Sequence, residues 1–351
     1  MLQETIEPGW VDAFEAVLAR CALQPGDSVA ILSESQSRPV LAQLARLAAS
    51  RLGCRVFGVS VPTPFGAGPA IRSTGASTAL QQLAPVIAAL AGSTLVVDCT
   101  VEGLMHAPEL PAILRGGARV LYVSNEHPEA LARLAPGDAL EPLVKEHVKR
   151  LRSAGAMRVA SAAGTDLAIS LAGATCGGNW GTTTRPGTMT HWPGGLALVF
   201  PAAGSVNGIL VLAEGDVNLT FKRYIERPVT LHIEDDYVTR IEGAGVDAEL
   251  MRSYIAAWGD GAQDPGGRNA YAVSHVGYGL NAAARWDSMA LYDKRDFNGT
   301  ELRAFAGNFL YSTGASEVAG RYTRGHFDLP LRNCTVELDG LAVVKEGRVV
   351  P

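Results

Sequence analysis

The sequence predicts an α/β N-terminal domain with a mainly parallel sheet over residues 1–155, followed by an α+β, largely antiparallel domain over residues 156–351. Three observations carry this. Short apolar runs alternate with helix-length amphipathic runs through the first 150 residues, which is the pattern of strands joined by crossover helices. After about residue 156 the texture changes to strand-like stretches joined by Gly, Asp and Asn turns. With 351 residues, 47% of them hydrophobic, the chain can fill more than one core.

The first strand is "DSVAIL" at 27–32, followed by an amphipathic helix at 40–52 and a second strand, "CRVFGVSV", at 54–61. A Pro/Gly-rich loop follows at 62–70. The run at 78–91 reads as a helix, with Pro85 as a kink or internal boundary. "TLVVDCT" at 94–100 and "ARVLYVS" at 118–124 are short buried strands. The charged helical stretch Pro128–Ala154 ends the first domain. In the second half, "LALVFP", "NGILVLAEG", "PVTLHIEDDYVTRIEG" and "CTVELDGLAVVKEGRVV" are strand material, interrupted by one helix at 247–258. This alternation makes the first domain Rossmann-like but supplies no dinucleotide fingerprint. The first strand leads into "SESQSRP" at 33–39 rather than GxGxxG, and "GAG" at 66–68 reads as a turn.

Composition excludes several function classes. Lys+Arg 30 against Asp+Glu 35 gives a formal charge of -5 with no basic tail, so non-specific nucleic-acid binding is not expected. The 39 glycines follow no strict period, which rules out collagen. Cys21, Cys54, Cys99, Cys176 and Cys334 are widely spaced, fit neither a zinc knuckle nor a CxxC pair, and read as thiols in a reducing compartment. Met1–Trp10 is acidic and lacks a signal pattern. The most apolar stretch, Leu196–Leu212, is cut into strand-sized pieces by Pro201, Gly204, Asn207 and Gly208, so no membrane span is expected. A cytoplasmic location is the default.

The chemistry is sought among seven histidines. His127 and His147, in the charged helical stretch, read as surface residues. His232 alternates with Thr230 and Glu234 on the polar face of a strand. The tail is more informative. "GHFDLP" at 325–330 sets His326 and Asp328 two residues apart, and in an extended strand such side chains share a face. One metal ion can then take an imidazole nitrogen and a carboxylate oxygen from one segment, with His275 in "SHVGYGLN" as the second imidazole. Two imidazoles and a carboxylate leave open positions on octahedral iron. "GNFLYSTG" at 307–314 reads as a constrained turn beside a strand, and its Ser312 gains plausibility as a ligand only beside a hard divalent metal. Arg285, Trp286, Asp287, Arg332 and Asn333 form either a salt-bridge and turn network or an arginine-based site for an anionic or polar aromatic substrate. His191, in the polar-aromatic turn "THWPGG" at 190–195, is a candidate proton carrier. Hydrolase signatures are weaker: neither GxSxG nor HExxH is present. Ser312, His326 and Asp328 have the residue types of a triad, but same-face placement puts Asp beside rather than behind its His.

These motifs resemble the 2,5-dihydroxypyridine 5,6-dioxygenase family of nicotinate and nicotine degradation. The resemblance runs from about residue 25 to the C-terminus, most firmly in "THWPGG", "SHVGYGLN", "AGNFLYSTG" and "HFDLPLRNC". It implies a fold related to a group of metal-dependent aminopeptidases. It also implies non-haem Fe(II) as cofactor, and a small aromatic N-heterocycle and dioxygen as reactants. The ring would open between C5 and C6 to give N-formylmaleamate. Carried onto this chain, the resemblance assigns His275, Ser312, His326 and Asp328 as iron ligands. In "GLMHAPE" it makes His106 a first-domain histidine that reaches a neighbouring subunit's pocket, and His191 a second pocket histidine. A homo-oligomer with shared sites follows from that, without nucleic acid or membrane as partner. The segment 176–189 fits the family's pattern less clearly, which leaves the exact ring substituents open. The alternative is a metal-dependent, aminopeptidase-like hydrolase, with Glu214, Glu301 and Glu317 as its available carboxylates.

Overall fold

The computed structural model describes residues 5–64, 77–259, 267–323 and 325–351. The "GAG" at 66–68 lies outside the described residues. In chain order the elements begin with α1 (Pro8–Arg20), β1 (Ser28–Glu34), α2 (Pro39–Arg51), β2 (Arg55–Val61), α3 (Ala84–Ala91), β3 (Leu95–Asp98), α4 (Leu110–Arg115), β4 (Arg119–Val123), α5 (Pro128–Arg133) and α6 (Leu140–Ser153). Next come β5 (Ala156–Ala160), β6 (Asp166–Ser170), β7 (Thr175–Asn179), β8 (Met189–Trp192), β9 (Leu196–Phe200), β10 (Val206–Leu212), β11 (Val217–Asn218) and β12 (Arg223–Tyr224). The chain continues with β13 (Val229–Glu234), β14 (Tyr237–Glu242), α7 (Val246–Gly259), β15 (Val273–Gly279), α8 (Ser288–Leu291) and α9 (Thr300–Ala304). It closes with β16 (Phe309–Thr313), β17 (Phe327–Leu331), β18 (Thr335–Leu338), β19 (Leu341–Lys345) and β20 (Arg348–Val349). These elements form two compact units that interleave along the chain. One comprises Met1–Asp138, Asn179–Gly194 and Asp287–Glu301; the other comprises Ala139–Gly178, Gly195–Trp286 and Leu302–Pro351.

The first unit holds a parallel sheet in the order β2-β1-β3-β4-β8. Strand side chains alternate between faces, and β1 shows both. Val29 and Ile31 join one core with Phe14, Leu18, Leu41, Leu44 and Trp192, under α1 and α2. Ala30 and Leu32 join a second core with Leu80, Leu90 and Ile113, under α3 and α4. Cover on both faces explains why the central strands β1, β3 and β4 carry apolar runs. Two expectations are corrected here. The helix expected over 78–91 begins only at Ala84, because Gln81 and Gln82 have φ of 45° and 59°, outside the right-handed helical region. Pro85 therefore sits in the first turn, where its missing N–H costs nothing. "THWPGG" is a turn only from Pro193 onward. Thr190–Trp192 belong to β8, the fifth parallel strand, because Trp192 is buried against Phe14 at 4.8 Å between ring centroids and donates to Leu134 O.

The second unit is largely antiparallel. An eight-stranded sheet runs β14-β13-β10-β6-β5-β18-β19-β20, and a five-stranded sheet runs β17-β16-β15-β9-β7. His232 lies on the half-buried face of β13, as its alternation implies. His147 does not lie on the surface. It is 1% exposed, because Val144, His147, Val148 and Leu151 form the inward stripe of α6. In the first unit, His127 is half-buried, caps α5 by accepting from Glu129 N, and stacks on Tyr292 at 5.1 Å between centroids. Among the described residues no helix is long and apolar enough to cross a membrane.

Candidate metal centre

The three C-terminal strands of the five-stranded sheet build the site. In the antiparallel register His275 on β15 stands opposite Ser312 on β16, and Ser312 stands opposite Asp328 on β17. Residues opposed in this way share a face, with Cβ atoms about 5 Å apart. The three side chains therefore form one row across three strands. His326 precedes β17 by one residue and falls on the same side, two positions before Asp328. The same-face spacing of His326 and Asp328 is thus realised. His275 lies in a strand, and so does Ser312, which was expected in a turn. "GNFLYSTG" is β16 itself, flanked by Gly307 and Gly314 with φ of 87° and 119°. A register shift between Val273 and His275 gives β15 an extra residue at the site, which re-aims the imidazole.

The side chains converge. Ser312 Oγ lies 3.0 Å from His275 Nε2 and hydrogen-bonds Asp328 Oδ1. Asp328 Oδ1 lies 3.7 Å from His275 Nε2, and its Oδ2 lies 3.2 Å from His326 Nε2. The two imidazoles are stacked with centroids 5.9 Å apart. Ser312 is fully buried and Asp328 is 4% exposed. Burial pushes the Asp328 carboxyl up, but the charge of Arg303 and then the contact with His326 outweigh it and hold the group well below the usual carboxylate range. Arg303 Nε donates to Asp328 Oδ2 at 2.7 Å.

The surrounding residues fix the orientation of the His275 imidazole and the position of the His326 backbone. Ser274 donates its hydroxyl proton to Ala315 O, so its oxygen accepts from His275 Nδ1 at 3.2 Å. That leaves Nε2 of His275 as the bare nitrogen, facing Ser312 and Asp328. The His326 backbone is gripped on both sides: its N–H donates to Tyr254 Oη at 3.2 Å, and its carbonyl accepts from Thr220 Oγ1 at 2.9 Å.

Two imidazoles, one carboxylate and a hydroxyl on one face suit a divalent first-row metal. Donors about 2.1 Å from such an ion and at right angles to each other lie about 3 Å apart. Among the described residues no three His, Cys, Asp or Glu side chains form a ready-made metal cage. Here the donors hydrogen-bond one another, so loading exchanges the Ser312–Asp328 and His–Asp contacts for bonds to the ion. The donor chemistry fits.

His106 and His191 belong to the first unit. His106 is exposed in the segment after β3, and Met105 beside it is 37% exposed. That segment is held from below. Asp98 accepts from Thr100 N, Thr100 Oγ1 and Leu104 N, and Glu34 accepts from Val101 N at 2.7 Å. His191 is on β8 opposite Tyr122, with Asn179 against its ring. Of the carboxylates weighed for a hydrolase, Glu301 is fully buried and bridged by Arg133 at 2.7 Å. Trp286 and Arg332 do meet, with the guanidinium 5.3 Å from the ring centroid, and Trp286 Nε1 donates to Gly215 O. Three residues at these sites were not found from the sequence: Ser274, Arg303 and Asn179. Arg303 looks like one more charge on a surface helix, and nothing local to it signals its partner on β17.

The family model described as 2,5-dihydroxypyridine 5,6-dioxygenase (NicX) matches residues 9–351. A 2,5-dihydroxypyridine 5,6-dioxygenase from Pseudomonas putida KT2440 is 37% identical over 342 residues, covering 96% of this chain and 95% of that protein. The solved structure of a 2,5-dihydroxypyridine dioxygenase from the same organism superposes with a TM-score of 0.89 at 36% identity, over 97% of this chain and 96% of the other. AmpT from Thermus thermophilus superposes with a TM-score of 0.64 over 98% and 99% of the two chains, and at 13% identity it is a likeness of fold alone.

Proposed function

The chain belongs to the 2,5-dihydroxypyridine 5,6-dioxygenase family, and from that premise we propose that it opens the ring of 2,5-dihydroxypyridine between C5 and C6 with dioxygen, giving N-formylmaleamate. It is a metal-dependent, ring-cleaving dioxygenase; the metal is iron(II), held by His275, Ser312, His326 and Asp328. The observation that carries the site is the row His275–Ser312–Asp328 across three strands, with His326 two residues before Asp328. The family match gives no support to the hydrolase alternative. The enzyme works in the cytoplasm, as a homo-oligomer.

When bound, iron(II) supplies Lewis acidity and the one-electron chemistry that lets dioxygen react with a spin-paired ring. The chain's own residues set the conditions for this. His275 offers Nε2 because Ser274 holds Nδ1. Arg303 takes Asp328 Oδ2, which keeps the carboxylate ionised and its Oδ1 turned toward Ser312. Phe200 packs on His275 with ring centroids 5.6 Å apart. The two substrate oxygens are para to each other and cannot chelate one ion, so protein groups must fix the ring's orientation. His106 of a neighbouring subunit and His191 are the pocket histidines available for that and for moving the hydroxyl proton. The exposure of Met105 and His106 in one chain supports a role for that segment at a neighbour.

Metal analysis after anaerobic iron(II) loading tests the ligand assignment. His326→Ala and Asp328→Ala should lose iron and activity while the parallel sheet stays folded. Ser312→Ala should keep most of its iron, because water can replace a neutral hydroxyl. Full iron occupancy in both His326→Ala and Asp328→Ala would overturn the assignment.

A further inference from the structure

Glu34 and Asp98 end β1 and β3, two adjacent parallel strands. The chain leaves β1 for β2 on one side and returns to β3 on the other. At such a switch point the loops beyond the carboxyl ends of the strands build sites. Here the strand ends carry two buried carboxylates, and both turn to the main chain of the segment that leads to His106.

Asp98 Oδ1 accepts from Thr100 N at 2.9 Å and from Thr100 Oγ1 at 2.7 Å, and Oδ2 accepts from Leu104 N at 2.8 Å. Thr100 Oγ1 accepts in turn from Gly103 N at 3.2 Å. The Asp98 carboxylate thus holds the N–H groups of Thr100 and Leu104 directly and that of Gly103 through a hydroxyl. Glu34 Oε1 holds Val101 N at 2.7 Å. The carbonyls are held as well: Val101 O accepts from Tyr122 Oη at 3.2 Å, and Gly103 O accepts from Ser77 N at 3.0 Å. Gly103 has φ of 80°, and a Cβ there would stand 3.0 Å from the Tyr122 ring, so the segment lies directly on that ring. Leu104 is fully buried, while Met105 and His106 just beyond it are exposed. Burying two like charges at adjacent strand ends costs stability. What it secures is an irregular segment whose backbone is bonded up to the two exposed residues.

We propose that Asp98 is a positioning residue for His106, keying the segment after β3 so that the histidine is presented in one preformed arrangement. This rests on the reading of His106 as a pocket histidine, but the state of the segment can be read without turnover. Asp98→Asn keeps the shape and replaces one acceptor by NH2. In one amide orientation that NH2 faces Leu104 N–H, and in the other it faces Thr100 N–H, so neither satisfies the segment. In iron-loaded protein, amide exchange over residues 100–106 should quicken about tenfold or more, with exchange in the parallel strands unchanged. At unchanged iron occupancy kcat/KM should fall about tenfold or more. Thr100→Val keeps the carboxylate and removes only the hydroxyl. It should move both readouts the same way by less, and it carries the test if Asp98→Asn does not fold. Under subunit exchange, Asp98→Asn should regain activity with His326→Ala but not with His106→Ala, since both members of the second mixture lack a working His106 segment. Recovery with His106→Ala would overturn the proposal, because Asp98 would then act elsewhere. Unchanged exchange over 100–106 would overturn it too, as would faster exchange with kcat/KM unmoved. If His106→Ala and His326→Ala fail to complement each other, each chain uses its own His106, and exchange and kcat/KM decide. If His106→Ala keeps wild-type kcat/KM, the reading of His106 fails and the proposal with it, while the dioxygenase reading stands.

Discussion

Arg303 and Asp328 form a buried ion pair, with Nε and Oδ2 2.7 Å apart and side chains 11% and 5% exposed. The carboxylate is thus committed to a cation on one side before any ion arrives on the other. Breaking a buried pair by removing one partner costs about 3–5 kcal/mol, because the remaining charge is left uncompensated. Arg303→Met should therefore destabilise the iron-free protein by about that much. The loss should be smaller with iron bound, since the ion then neutralises Asp328. Denaturant unfolding with and without iron(II) is the measurement. An equal loss in both states would mean that Arg303 supports packing alone.

His147 supplies a pH dependence of known sign. Burial, aided by Arg150, lowers its pKa to about 4, and its Nδ1 lies 3.2 Å from Tyr278 Oη. The unfolded value is about 6.5, so the unfolded chain binds more protons between the two. Stability then falls as pH drops from about 6.5 toward 4. Asp98 acts oppositely: burial pushes it up to about 6, so its contribution falls as pH rises toward that value. The variant must therefore be read against wild type. His147→Phe should remove about one proton from the acid-side slope of unfolding free energy. Identical slopes would mean that His147 is protonated in the folded protein.

The role given to His106 predicts complementation. Its segment is fixed to the first unit through Asp98 and Glu34, while its tip is exposed. His106→Ala and His326→Ala should each be inactive alone. Mixed under conditions that exchange subunits, they should regain part of the activity, because some interfaces pair an intact His106 with intact ligands. Mixed oligomers without recovery would place His106 in its own chain's site, or in the fold only.

Part of the geometry of the candidate metal centre was legible because it is written in local periods. His326 and Asp328 share a face through the two-residue repeat of a strand, and that holds whatever sheet the strand joins. Strands β1, β3 and β4 were equally plain, since the doubly covered middle of a sheet makes apolar runs. Long-range pairing left no such mark. The register that sets Ser312 between His275 and Asp328, the return of Thr190–Trp192 to the parallel sheet, and the Arg303–Asp328 pair all join residues distant in sequence. The burial of His147 was readable but was missed: Val144, Val148 and Leu151 place it on the apolar stripe of α6, and the surrounding charges hid that stripe.

The most direct test is isotopic. Protein loaded anaerobically with iron(II) and given 2,5-dihydroxypyridine should, on admission of 18O-labelled dioxygen, yield N-formylmaleamate carrying both labelled atoms. Ring opening without dioxygen, or a product whose new oxygens come from water, would contradict the account.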